Sequence, residues 1–180
     1  CEKNNLDKVN LVGHSLGGGI SIKTAFKKKE LIKSLTLISP IGLGDEIDSD
    51  YIDNFISSET RKEIKKEIEK LYFNSEIITR DMLNEILKFL RIDNVKDTLK
   101  IIKNEIIENN CQKNNLIEEI NSLNIPVSVI WGEDDQIIPS KQSDVLSDKI
   151  NLIKQKNCGH MAHIEKAKSV NEVISKTILK

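Results

Sequence analysis

Apolar residues follow two different rhythms along this 180-residue chain. Short, nearly unbroken runs occur at Val9 to Val12, Leu31 to Ser39 and Pro126 to Trp131, with a weaker one at Leu152 to Gln155. Each is closed by turn residues: Gly13, then Pro40, Gly42 and Gly44, then Gly132, then Gly159. Runs of this kind predict buried parallel strands. From Leu16 to about Lys28 the pattern turns helical, so the chain opens as strand, sharp turn, helix. Between about Asp45 and Leu123 it becomes that of long charged helices. Within Glu59 to Tyr72, for example, Ile64, Ile68 and Leu71 recur at spacings of four and three on one face. No strand pattern interrupts this stretch, and a closing helix is expected from about Glu165 to Leu179. The alternation predicts one α/β domain over residues 1–180, with a mostly parallel sheet and a helical cap insertion at 45–123.

Composition narrows the function classes. Charged residues make up 31% and hydrophobic residues 38%, with 27 basic against 28 acidic side chains, a soluble globular balance. Near-neutral charge without a basic patch argues against nucleic acid, and the run Lys27-Lys28-Lys29 suits the end of a helix. Cys1, Cys111 and Cys158 are odd in number and widely spaced, which points to reduced thiols rather than a disulfide framework. The apolar runs fall far short of the roughly 20 residues of a membrane helix, and no leader pattern opens the chain, so a cytoplasmic location is expected. The start at Cys1, close to a buried strand, suggests a sequence that begins partway through a domain, with N-terminal strands missing. Expressed alone, residues 1–180 are then expected to give an inactive, poorly soluble product with an open sheet edge.

Three loops carry chemistry. Gly13-His14-Ser15-Leu16-Gly17 fits G-x-S-x-G between a strand and a helix, where glycines two residues to either side give a strained serine room to project above the sheet. The N–H of Leu16, at the start of that helix, is placed to hold an oxyanion. Glu133, Asp134 and Asp135 follow the third strand, and each competes for the role of an acid orienting a histidine. His160, after Gly159, follows the fourth strand as candidate base. The order Ser, Asp, His is that of a nucleophile-elbow hydrolase. His14 and His163 read as packing or surface residues, and no metal site is expected. Pocket candidates are His14, Ile41, Leu43 and Ile138.

GHSLGG, WGEDDQIIP and CGHMAHIE together resemble the α/β-hydrolase superfamily. On that pattern Ser15 is the nucleophile, Asp135 the acid and His160 the base. The stretch from Ser39 through Leu83, together with LKFLRIDNV, is similar to the C-terminal hydrolase-like domain of the dihydrolipoamide acetyltransferase component of bacterial acetoin dehydrogenase systems. That resemblance implies a lipoyl group on a preceding domain, coenzyme A as acceptor, and other subunits of a dehydrogenase complex as partners. The H-x-x-x-D-G signature of ordinary lipoamide acyltransferase cores is absent, and the usual second oxyanion donor belongs to an early loop that this chain lacks. The expectation is acyl transfer or hydrolysis of a small acyl or ester substrate through a Ser15 acyl-enzyme, with no cofactor held by this chain itself. Its rivals are a non-catalytic docking domain of a dehydrogenase complex and a free-standing esterase or carbon-carbon hydrolase.

Overall fold

A computed structural model describes residues 1, 3 and 6–179. Strand β1 (Val9–His14) leads into helix α1 (Leu16–Lys27) and strand β2 (Ile32–Ile38). Four helices follow: α2 (Ser49–Ser57), α3 (Arg61–Glu69), α4 (Arg80–Leu90) and α5 (Val95–Ile106). A small hairpin, β3 (Ile107–Glu108) and β4 (Cys111–Gln112), precedes helix α6 (Ile117–Asn121). The chain then forms strand β5 (Val127–Gly132), strand β6 (Asn151–Gln155) and helices α7 (Ala162–Glu165) and α8 (Ala167–Ile178).

The main sheet is wholly parallel, in the order β1-β2-β5-β6. Side chains alternate across it, as strand geometry requires. Leu35, Leu37, Val127, Val129 and Trp131 share one core with Ile22 and Ala25 of α1. Ile38 and Ile130 belong to the other, with Val170 of α8. Helices therefore cover both faces, and this explains why β2 and β5 read as continuous apolar runs. β1 is less buried because only β2 pairs with it among the described residues, and Val12 is 49% exposed.

The helical segment between β2 and β5 differs from expectation in two ways. The hairpin β3–β4 interrupts it, closed by Asn109 and Asn110 at φ 50° and 61°. Asparagine tolerates that left-handed geometry, which suits a two-residue hairpin turn, and two-residue strands are too short to show alternation. The helix expected over Glu59 to Tyr72 is shorter, because Thr60 and Glu63 form a reciprocal cap that starts it at Arg61. The closing helix expected from about Glu165 to Leu179 is α8, Ala167–Ile178, preceded by the short α7.

The hairpin is bound to the loop after β2 by two glutamines. Gln112 accepts from the N–H of Gly42 at 2.7 Å and donates to the carbonyl of Glu46 at 2.8 Å. Gln142 donates to the same carbonyl at 2.6 Å.

Candidate active site

Parallel strands deliver their following loops to one edge of the sheet, and chemistry gathers there. Ser15 follows β1, Asp135 follows β5, and His160 lies beyond β6. Ser15 adopts φ 52° and ψ −119°, a conformation that a non-glycine residue holds only under constraint. Its N–H donates to Ile38 at 3.0 Å, and its carbonyl accepts from Gly18, Gly19 and Ile41. The glycines around it have unequal tasks. A Cβ on Gly13 would lie 2.5 Å from the carbonyl oxygen of Gly17, and one on Gly18 would lie 2.7 Å from Pro40. A Cβ on Gly17 would meet nothing within 4 Å, so the expected need for room on both sides of Ser15 holds only for Gly13.

Of the three acids after β5, Asp135 is the buried one, and its Oδ2 lies 2.8 Å from His160 Nδ1. Its Oδ1 accepts the N–H groups of Ile137 and Ile138 at 2.9 and 3.0 Å. Burial alone pushes this carboxyl up. The hydrogen bond and charge of His160, with the two N–H groups, outweigh that and hold it below its ordinary value. Asp134 is exposed and instead accepts the N–H of Cys158 at 3.3 Å, and Glu133 is also exposed. The two loops approach closely because Gly132 lacks a side chain: a Cβ there would overlap the carbonyl oxygens of Gly159 and Cys158.

His160 is itself buried, and two further contacts fix its loop. His14 Nε2–H donates to the carbonyl of His160 at 3.0 Å. Glu165 accepts the N–H of Gly159 at 2.7 Å through one oxygen, and those of Phe73 and Asn74 at 2.9 and 3.0 Å through the other. The ring of His14 stands 4.7 Å from that of His160 and 4.6 Å from that of His163. Burial, then the charges of His160 and His163, lower His14 to about 4, so it is neutral at physiological pH. No hydrogen bond joins Ser15 to His160 among the described residues, and such bonds commonly tighten only around substrate.

Ser15, Leu16, His14 and His160 border a cavity of about 270 Å³. Ile41 lines it. Leu43 and Ile138 do not: both are buried in the core at 1% and 0% exposure, Leu43 because the loop after β2 turns it inward. Sequence reading missed the larger part of the wall, notably Tyr51 and Phe55 of α2 and Leu99, Ile102 and Ile106 of α5. Their helical spacing was visible, but which apolar face meets Ser15 depends on how the helices fold back over the sheet. Glu165 was missed too, since a carboxylate that binds only backbone groups leaves no motif. Among the described residues no group of three or more His, Cys, Asp or Glu could hold a metal ion, and no helix is long and apolar enough to cross a membrane.

Comparison with known proteins agrees with this architecture. Over 175 residues the chain is 29% identical to the dihydrolipoyllysine-residue acetyltransferase component of the acetoin cleaving system of Cupriavidus necator, covering 97% of this chain and 47% of that protein. It is 30% identical over 165 residues to the component of the same name from Pseudomonas putida, covering 92% and 44%. The chain thus spans about half the length of these relatives. Among solved structures, the meta-cleavage product hydrolase CumD of Pseudomonas fluorescens superposes with a TM-score of 0.83 at 18% identity, covering 97% of this chain and 66% of that one. Carboxylesterase CesB of Bacillus subtilis gives 0.79 at 20%, covering 98% and 62%. The model of the alpha/beta hydrolase fold matches residues 1–167, and the chain belongs to that family.

Proposed function

We propose that this chain is the catalytic part of a serine-dependent acyl-transfer or hydrolytic enzyme, with Ser15 as nucleophile, His160 as general base and Asp135 as its orienting acid. The observation that carries this reading is the buried Asp135–His160 hydrogen bond beside an apolar cavity that also receives Ser15 from a strained turn. Asp135 holds the Nδ1 proton of His160, leaving Nε2 to take the hydroxyl proton of Ser15 as Oγ bonds to the substrate carbonyl carbon. The N–H of Leu16, at the first turn of α1, donates to the developing oxyanion. His160 returns the proton to the leaving group as its bond to the carbonyl carbon breaks, and water or a thiol then takes the acyl group by the reverse sequence. Helices α2 to α5 act as a cap over the site. Similarity to the two acetoin-system components supports a role beside other subunits of a dehydrogenase-type complex.

The test is labelling of the purified protein with a fluorophosphonate. Wild type is expected to label and Ser15→Ala to stay unlabelled. Equal labelling of both, or none of a well-folded wild type, removes Ser15 from the chemistry.

A further inference from the structure

We propose that the acyl group accepted at Ser15 is an uncharged, medium-length hydrocarbon chain of about six to eight carbons, not a two-carbon acetyl group. This rests on the acyl-transfer reading above. The cavity measures about 270 Å³, near the lower end of small-molecule sites at ~300 Å³, so it takes a chain of medium length and no larger. An acetyl group would leave most of it empty or wet. Beyond the residues around Ser15, the walls are apolar, with Phe55, Leu99, Ile102 and Ile106 drawn from α2 and α5.

Charge is also cancelled at the wall. Lys103 borders the cavity, but its ammonium binds both carboxylate oxygens of Asp53, at 2.6 and 2.7 Å. The Tyr51 phenol is held protonated by burial, and His14 is neutral. A carboxylate or other charged end on the acyl chain would meet no free partner here, and leaving such a group unpaired is costly. The apolar space beside Ser15 and His160 suits the acyl part rather than the leaving group. The acyl group stays bound to Ser15 between the two half-reactions, while the leaving group must depart and the acceptor enter.

The experiment is a series of p-nitrophenyl esters from acetate to dodecanoate with the purified protein, alongside acetate esters of alcohols of increasing length. The expected kcat/KM rises about three- to fourfold per added methylene, peaks near six to eight carbons in the acyl chain, and then falls. Alcohol length should have little effect. Ile102→Trp should move the peak to shorter acyl chains. Should that variant fail to fold, Ile102→Ala should move the peak to longer ones.

Ser15-dependent turnover that is highest with acetate, that follows alcohol length, or that ignores both Ile102 variants overturns the proposal while leaving the catalytic reading intact. The opposite case is separated by binding. Ser15→Ala protein titrated with methyl ketones should bind octan-2-one far more tightly than acetone. That result without any ester turnover keeps the pocket assignment and sinks the catalytic one, and equal affinity for the two ketones sinks the pocket assignment.

Discussion

Gly13 and Gly17 flank the same serine, yet the space around them differs, and their substitutions should part accordingly. Gly17→Ala adds a methyl group to open space in the first turn of α1 and should raise stability by about 0.5 kcal/mol. Gly13→Ala drives a Cβ against backbone and should lower the melting midpoint sharply, as paired thermal melts will show. His14 gives a pH signature. Its proton affinity falls from an ordinary 6.5 to about 4 on folding, so the unfolded chain binds the extra proton more readily. The stability contributed by a neutral His14 is complete above about pH 6.5 and is lost as pH falls toward 4. Melts between pH 7 and 4 should show this decline, and His14→Gln should flatten part of it. Cys158, pushed up to about 12 first by burial, should resist alkylation at neutral pH, while the exposed Cys1 and Cys111 react. At this scale much was legible. Ser15 and His160 could be named as candidates because an elbow and a glycine-histidine loop call for particular residue types. Asp135 could be separated from Asp134 and Glu133 only by resemblance, since three adjacent acids present the same chemistry until folding buries one of them.

The elements divide along similar lines. β2 and β5 could be placed within a residue or so because both faces of each are covered, which writes a continuous apolar run into the sequence. The start of α3 was equally available, since Thr60 and Glu63 spell a capping box. Thr60→Ala should cost about 1 kcal/mol, read from denaturant unfolding. The hairpin β3–β4 was hidden because its pairing involves two residues a side and its anchorage runs through Gln112, whose partners lie on distant loops. Pocket residues were hidden for a related reason. The amphipathic spacing of α2 and α5 announces a buried face without saying whether it meets the core or a cavity. Leu43 and Ile138 went to the core, while Phe55 and Ile102 went to the cavity wall. Under the proposed mechanism, Asp135→Asn should leave the fold nearly intact but reduce kcat by about 10³–10⁴, measured on the preferred ester. Asp135→Ala should in addition cost about 3 kcal/mol, because it strands the N–H groups of Ile137 and Ile138.

For the molecule as a whole, the sheet is lopsided: β6 closes one side with a half-buried strand, and β1 presents an outer edge that nothing pairs among the described residues. An uncovered edge of a parallel sheet with a half-exposed Val12 invites another strand. Light scattering of residues 1–180 alone should therefore report self-association, and Val12→Lys should reduce it. Glu165 joins what the chain order separates. Its two oxygens collect N–H groups from Gly159 on one side and from Phe73 and Asn74 on the other, and Met161 N–H also reaches the carbonyl of Leu71. The His160 loop and the 71–74 stretch are thus one mechanical piece, and a hinge placed there would drag His160 out of line each time it moved. The cavity wall formed by α2 and α5 is tied separately, by the partly exposed Lys103–Asp53 pair. Under the proposed mechanism, a movement of that wall leaves the Glu165 contacts untouched, so that admitting a substrate would not require the Asp135–His160 pair to be rebuilt.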